Sequence, residues 1–92
     1  MEKFYEVLST STGSCWALNN YCPIKSIGPI SPADNDFNPG FSSKLMLKDL
    51  TLALSTATDS NLNLKLGEQV LQNYEKLVEN DKGNLDFSNI VN

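Results

Sequence analysis

Three side chains near the middle of the sequence have the types and spacing that chemistry needs: Phe41, Lys48 and Asp49. On a helix, Lys48 would have no carboxylate three or four residues away, so its ammonium group lacks a local partner. The positions three and four residues from Asp49 are all apolar, and a carboxylate that loses hydration needs a partner from outside its helix. Phe41 precedes Lys48 by seven residues, or about 10 Å along a helix axis. The spacing predicts one groove lined by an aromatic ring, a cation and an acid.

The same three residues also fit an ordinary helix surface. A lysine or a lone aspartate on the polar side of a helix is usually solvated, and a phenylalanine is usually part of the core. Residue chemistry alone leaves this alternative open.

A helix that begins at Ser42 or Ser43 must position these side chains. Either serine can accept a hydrogen bond from a free N–H group of the first turn, and Gly40 allows a sharp turn just before it. Apolar residues then recur at helical spacing as far as Ala57, which predicts one buried face. That face comprises Met46, Leu47, Leu50, Ala53, Leu54 and Ala57.

The rest of the sequence predicts an all-α fold, a small bundle of about four helices plus a short terminal turn. A first helix spans Glu2 to Ser9, with Phe4, Val7 and Leu8 facing inward, and a second spans Cys15 to Tyr21, capped by Thr12 or Ser14 and ended by Pro23. A long helix runs from Leu64 or Lys65 to Asp81 and stops at Gly83, and Asp86 caps the terminal turn from Phe87 to Val91. The predicted buried stripe of the long helix is Leu66, Val70, Leu71, Tyr74, Leu77 and Val78.

One long loop, from Pro23 to Gly40, contains all four prolines. A connection of this length in a small domain is usually functional or disordered. We expect an ordered segment leading to Phe41 and pinned by Ile24, Ile27, Ile30 and Phe37, with an unstructured linker as the alternative.

Composition limits the possible function classes. The 92 residues suffice for one domain with a modest core, and 40% apolar and 20% charged residues are typical of globular proteins. A net charge of −4 without any arginine argues against nucleic-acid binding. No apolar run approaches the roughly 18 residues of a membrane span, and the first residues do not form a signal peptide.

Two cysteines, Cys15 and Cys22, share one helical face with Leu18. The spacing favours two reduced thiols in the core, and a disulfide is the alternative, although two helical turns separate the Cα atoms by about 10 Å. Because the chain has no histidine, two thiols do not complete a metal site, and no metal is predicted.

Four segments together carry a family resemblance. The longest is Gly-Phe-x-x-x-Leu-Met-x-Lys-Asp-Leu-x-Leu-Ala, from Gly40 to Ala53. It resembles the C-terminal signature of the β-hydroxyacid dehydrogenase family, in particular its 3-hydroxyisobutyrate dehydrogenase branch. The other three segments, in the same order as in the family, are Ser11-Thr12-Gly13-Ser14-Cys15-Trp16, Tyr21-Cys22-Pro23 and Asp86-Phe87-Ser88. Ser14 stands where these dehydrogenases usually carry arginine, so a bidentate carboxylate contact is missing there. Trp16 is either a core residue or part of a cleft wall.

The resemblance implies an NAD-dependent oxidoreductase that converts 3-hydroxyisobutyrate, or a similar short 3-hydroxy acid, to its semialdehyde in valine catabolism. It implies that Lys48 approaches the cofactor and that Phe41 and Asp49 shape the substrate pocket. Residues 1–92 correspond to the C-terminal helical domain, and the chain contains no G-x-G-x-x-G turn. We therefore expect the Rossmann domain, which binds most of the NAD, and the helix with the catalytic lysine to be absent from this chain. The isolated chain is expected to be inactive.

Two other functions remain open at this point. The chain could act as a helical association module without activity of its own, which fits the homo-oligomers that the family implies. It could also be a stand-alone small-molecule binding protein, which would need a closed pocket. Family resemblance implies a mitochondrial location, and a cytoplasmic one is the alternative.

Overall fold

Four α-helices and two short 3₁₀ turns make up the regular structure of the computed structural model, which describes all 92 residues. The α-helices are α1 (Glu2–Ser9), α2 (Trp16–Tyr21), α3 (Ser43–Asp59) and α4 (Lys65–Glu79). The 3₁₀ turns are Pro32–Asn35 and Phe87–Val91. The all-α prediction is confirmed, and the only strand-like pairing is an isolated bridge between Ser42 and Asp86. None of the helices combines the length and the hydrophobicity that a membrane span requires.

Helix α3 begins where the sequence predicts. The hydroxyl oxygen of Ser42 accepts a hydrogen bond from the Leu45 N–H at 3.4 Å, which confirms the predicted cap. The next residue, Ser43, is fully buried, and its hydroxyl donates to the Leu85 carbonyl at 3.1 Å. The start of α3 is therefore fixed to the C-terminal segment, in addition to its own cap.

Helices α3 and α4 pack against each other and form the main helix pair of the fold. Ala57 of α3 and Leu77 of α4 are buried. A Cβ atom on Gly67 would lie only 3.1 Å from Cδ2 of Leu54, so a glycine at this position permits close approach of the two helices.

Both long helices end at a left-handed residue that is not glycine. Asn61 follows α3 with a φ of 56°, and Asp81 follows α4 with a φ of 60°. In each case the N–H of the following residue donates a hydrogen bond to a carbonyl in the last turn of the helix. Lys82, for example, donates to the Leu77 carbonyl at 2.9 Å. The prediction that α4 stops at Gly83 is wrong, because Asp81 supplies the left-handed conformation two residues earlier.

Several predicted core positions are exposed, which corrects the inward faces assigned to α1 and α4. Phe4 and Val7 are each 64% exposed, because α1 makes no extensive contact with another helix or turn. At the start of α4, Leu66 is 84% exposed and Val70 is also exposed. The buried part of that stripe is its C-terminal half, where Tyr74 and Leu77 lie.

The loop from residue 23 to residue 40 is ordered, as expected, but hydrogen bonds of polar side chains contribute more to its order than packing of the isoleucines does. The carboxylate of Asp34 accepts from the N–H groups of Ser26 at 2.7 Å and Ser31 at 2.9 Å. These backbone bonds, from Ser31 first and then Ser26, lower the pKa of Asp34. The hydroxyl of Ser31 is buried and donates to the Cys22 carbonyl at 2.7 Å. Ile30 is 91% exposed, so it does not pin the loop as predicted.

The other three loop residues that were expected to pin this segment differ in their exposure. Ile24 is exposed, whereas Ile27 and Phe37 are half-buried. This proline-rich loop is therefore folded, and its order comes mainly from hydrogen bonds between side chains and the backbone.

Both cysteines are free thiols. Cys22 is buried as predicted, but Cys15 is exposed, so the prediction that both fill the core is half wrong. Cys15 instead caps α2, because its Sγ accepts from the Leu18 N–H at 3.4 Å. Neither Thr12 nor Ser14 takes the predicted capping role.

Candidate functional site

The carboxylate of Asp86 lies at the centre of the most strongly connected polar cluster in the fold. Its side chain is fully buried. One oxygen, Oδ2, accepts from the Tyr21 hydroxyl at 3.0 Å, the Gly40 N–H at 3.0 Å and the Phe41 N–H at 3.1 Å. The other oxygen, Oδ1, accepts from the N–H of Ser88 at 3.0 Å and from its hydroxyl at 2.6 Å. One side chain therefore connects α2, the loop before α3 and the terminal turn.

These hydrogen bonds keep Asp86 ionised although it is buried. Burial acts to raise the pKa of Asp86, but the hydrogen bonds from Ser88, Phe41 and Tyr21 outweigh it and leave the pKa below the ordinary value. Burial, and then the bond to Asp86 and its charge, raise the pKa of Tyr21. At neutral pH the pair thus consists of a carboxylate and a neutral phenol.

Backbone hydrogen bonds join the same segments. The N–H of Asp86 donates to the Phe37 carbonyl and that of Phe87 donates to the Phe41 carbonyl, both at 2.8 Å. The N–H of Ser43 donates to the Leu85 carbonyl, also at 2.8 Å. The loop that leads to Phe41 is therefore paired on one side with the C-terminal segment.

Four aromatic rings lie in a continuous row beside this cluster. Trp16 stacks on Tyr21 with ring centroids 5.8 Å apart, and Tyr21 stacks on Phe87 at 5.2 Å. Phe41 meets Phe87 edge-on at 6.1 Å and ends the row. Trp16, at the other end, is 67% exposed, so its assignment to the core is wrong, and the alternative of a cleft wall stays a prediction. We call these four residues the aromatic row.

An apolar cavity of about 320 Å³ lies along the middle of the aromatic row. Leu18, Tyr21, Tyr74, Phe87 and Ile90 are among the residues that line it. Tyr74 is buried, and its hydroxyl donates to the Phe87 carbonyl at 2.9 Å. Burial and the charge of Asp86 raise the pKa of Tyr74. The cavity suits apolar groups and is not lined by Phe41, Lys48 or Asp49.

Lys48 and Asp49 lie on the exposed side of α3 and pair with each other. Nζ of Lys48 is 3.7 Å from Oδ1 of Asp49, and the two side chains are 62% and 55% exposed. The expectation that apolar neighbours strip water from Asp49 is wrong for this chain, because Leu45 and Leu52 are themselves exposed. Phe41 belongs instead to the aromatic row. The roles of Phe41, Lys48 and Asp49 in binding remain predictions.

The sequence indicates Asp86 only as the cap of the terminal turn. That role is confirmed, since Oδ1 accepts from the Ser88 N–H. The bonds of Asp86 to Tyr21, Gly40 and Phe41, which lie 65, 46 and 45 residues away, have no such local signal. No local periodicity reports such contacts. The available signal was that Tyr21 and Asp86 both fall within segments that match the family.

No three carboxylate or thiol side chains come together in an arrangement that could hold a metal ion. The polar cluster around Asp86 has no free acceptor for a cation, because each oxygen already receives hydrogen bonds from N–H and O–H groups. Its chemistry is that of a structural anchor for the residues around it.

Lowering the pH is expected to destabilise the fold through Asp86. Because the pKa of Asp86 is lower in the folded chain than in the unfolded chain, unfolding takes up a proton. The stabilisation is fully present above the ordinary carboxyl pKa of about 3.9 and is lost as the pH falls below it, toward the folded-state pKa. Urea unfolding midpoints at pH 7 and pH 3 check this expectation, and equal midpoints would contradict it.

Comparison with known proteins gives consistent matches over almost the whole chain. A family model described as "NAD-binding of NADP-dependent 3-hydroxyisobutyrate dehydrogenase" matches residues 1–92. A probable 3-hydroxyisobutyrate dehydrogenase of Mycobacterium tuberculosis is 39% identical over 90 residues, which are 98% of this chain and 30% of that protein. A Drosophila melanogaster relative, named as the mitochondrial 3-hydroxyisobutyrate dehydrogenase, is 42% identical over 92% of this chain and 26% of its own length.

A solved structure agrees with the sequence matches. The structure of Mycobacterium tuberculosis 3-hydroxyisobutyrate dehydrogenase with L-serine superimposes with a TM-score of 0.90, at 39% identity, over 98% of this chain and 31% of that one. This chain thus spans less than a third of the length of these relatives. The resemblance found in the sequence is confirmed: the chain belongs to the 3-hydroxyisobutyrate dehydrogenase family and matches the domain of that family described as NAD-binding.

Proposed function

We propose that this chain is the C-terminal helical domain of an NAD-dependent oxidoreductase that oxidises 3-hydroxyisobutyrate, or a similar short 3-hydroxy acid, to its semialdehyde. The observation that supports this proposal is the match of the entire chain to relatives that carry this name. In this proposal a separate Rossmann domain and the helix with the catalytic lysine complete the enzyme. The mitochondrial name of the Drosophila relative supports a mitochondrial location, and a role in valine catabolism is proposed from the family resemblance alone.

The residues of this chain would supply one wall of the active site. Lys48 has an exposed ammonium group whose only ionic partner is its neighbour Asp49, so it is accessible to a cofactor held by a facing domain. Asp49 would orient that ammonium group and contribute to the polarity of the pocket. Phe41, fixed through its backbone N–H by Asp86, would exclude water from the substrate.

The residues of this chain could bind only part of the cofactor. The five glycines are scattered, and none of them starts a helix with a row of N–H groups that could hold a pyrophosphate. Lys48 suits a contact near the nicotinamide and ribose, so the facing domain would bind most of the NAD. When bound, NAD supplies the acceptor for the hydride of the substrate.

An exchange of domains tests this function. Residues 1–92 replace the matching segment of the Mycobacterium tuberculosis 3-hydroxyisobutyrate dehydrogenase, and NADH formation from 3-hydroxyisobutyrate is followed. We expect the chimaera to form NADH, whereas the isolated chain and the relative truncated before this segment do not. Steady NADH formation by the isolated chain would refute its predicted inactivity. A folded chimaera that oxidises no short 3-hydroxy acid would refute the proposed activity.

A second candidate function is helical association, and the exposed apolar side chains favour it. Phe4, Val7, Leu52 and Leu66 are each at least 60% exposed, although they lie on the helices of a folded chain. Such surfaces are usually covered by another domain or another copy. In sedimentation velocity, we expect the isolated chain to shift toward larger species as its concentration rises. A strictly monomeric chain at high concentration would argue against this function and against an oligomer formed through this domain alone.

A further inference from the structure

We infer that Asp86 is a positioning residue for the substrate pocket, because its carboxylate fixes the Gly40–Phe41 turn and the Tyr21 phenol in one arrangement. The inference rests on the proposed function in one respect: the proposed function is what assigns Phe41 to the substrate pocket. Neither the family match nor the proposed roles of Lys48 and Asp49 require it.

Distant segments of the chain converge on one oxygen atom of Asp86. Oδ2 of Asp86 accepts from Tyr21 on α2 and from the N–H groups of Gly40 and Phe41 just before α3. Because an ionised carboxylate can only accept hydrogen bonds, the O–H group of Tyr21 and the two N–H groups must all point toward this one oxygen. Charge-assisted bonds of this kind are stronger than bonds between neutral groups. The relative placement of Tyr21 and Phe41 therefore depends on Asp86.

These donors have little free space around them. A Cβ atom on Gly40 would lie 2.9 Å from the Tyr21 hydroxyl oxygen and 3.7 Å from Oδ2 of Asp86. Real Cβ atoms almost never approach another heavy atom so closely, so a side chain here would displace the phenol. Phe87, adjacent to Asp86 in sequence, fills the space between the rings of Tyr21 and Phe41. The phenol, the turn and the carboxylate thus hold one another in place.

The two oxygens of Asp86 accept hydrogen bonds from different parts of the chain. Oδ1 accepts only from Ser88, two residues away, and so stabilises the terminal turn. Oδ2 accepts only from the groups that lead to the aromatic row. This division provides a matched control, because Ser88→Ala removes a bond at Oδ1 and leaves the bonds at Oδ2 intact.

Amide hydrogen exchange in the 92-residue chain tests the inference without substrate or cofactor. We compare Asp86→Asn with Ser88→Ala and measure the amides of Gly40 and Phe41 against that of Leu77, which lies in the core of α4. In Asp86→Asn we expect Gly40 and Phe41 to exchange at least about tenfold faster relative to Leu77, whereas Ser88→Ala changes this ratio less than about twofold. A loss of global stability alone would speed up all three amides by the same factor, so only the excess at Gly40 and Phe41 over Leu77 reports positioning by Asp86. Unchanged ratios in Asp86→Asn, or equal ratios in both variants, would overturn the inference.

Tryptophan fluorescence gives a second readout, because Trp16 is the only tryptophan and stacks on Tyr21. Gly40→Ala should displace the Tyr21 phenol directly, so it is expected to shift the Trp16 emission in the same direction as Asp86→Asn. Ser88→Ala is expected to leave the emission unchanged. Emission that responds to Ser88→Ala but not to Gly40→Ala would contradict the positioning role.

If Asp86→Asn fails to fold, acid titration of the unmodified chain decides the question. The amide resonances of Gly40 and Phe41 should shift together, with one midpoint below the ordinary aspartate pKa of about 3.9. The other titratable groups coupled to Asp86, the phenols of Tyr21 and Tyr74, stay neutral in this range. Amide resonances that shift independently of each other would overturn the inference. Because none of these measurements uses enzyme activity, an inactive chimaera would not affect their outcome.

Discussion

Replacing Asp86 with asparagine is expected to lower the free energy of unfolding by about 2–4 kcal/mol. The amide would put an NH₂ group where one oxygen now accepts hydrogen bonds, and it would remove the charge that all five donors share. Because the side chain is fully buried, water cannot replace the lost acceptor. A domain of this size has a total stability of about 5–10 kcal/mol, so the loss is a large part of it.

Urea unfolding followed by circular dichroism at pH 7 measures this loss. Asp49→Asn provides the matched control, since it makes the same chemical change at a side chain that is 55% exposed. We expect the control to stay within about 0.5 kcal/mol of the unmodified chain. Equal stability of Asp86→Asn and Asp49→Asn would contradict the anchoring role that the hydrogen bonds indicate.

Replacing Lys48 with alanine in the chimaera is expected to reduce kcat/KM about 10- to 100-fold. This factor corresponds to the loss of one charged hydrogen bond to the bound cofactor, about 1.4–2.7 kcal/mol. In the isolated chain the same substitution should hardly change stability, because the pair with Asp49 is exposed to solvent. Steady-state kinetics with varied NAD would show a raised KM for the cofactor if Lys48 acts at this site.

Lys44→Ala is the control for this prediction, because Lys44 lies one turn earlier on α3 and is also exposed. Its removal changes the net charge by the same amount but leaves the Lys48–Asp49 pair intact. We expect less than a twofold effect on kcat/KM from Lys44→Ala. Similar losses in the two variants would mean that general charge, and not a specific contact, accounts for the role of Lys48.

The sequence predicted the helices well because their signals are local. Helical spacing of apolar residues and the Ser42 cap located α3, and the same spacing located α4. What periodicity cannot tell is which element covers an apolar face. Phe4 and Val7 have the spacing of a buried stripe, yet no helix of this chain packs over them.

The candidate site was predicted less completely than the fold. Asp49 was expected to be dehydrated because its helix neighbours are apolar, but Leu45 and Leu52 are 40% and 60% exposed, so water reaches the carboxylate. The bonds of Asp86 to Tyr21 and Phe41 join residues far apart in the sequence, and only the folded arrangement reveals them. Capping chemistry correctly identified the part of the Asp86 environment that is local.

The hydroxyl groups on the wall of the apolar cavity have a consequence for ligand selection. The protons of Tyr21 and Ser88 are directed to the Asp86 carboxylate, and that of Tyr74 is directed to a backbone carbonyl. While these bonds hold, the three hydroxyls offer a molecule in the cavity only lone pairs. A carboxylate placed there would find no donor among them and would lie close to a buried negative charge. These hydroxyl groups therefore disfavour a carboxylate in the cavity and leave it suited to hydrocarbon groups.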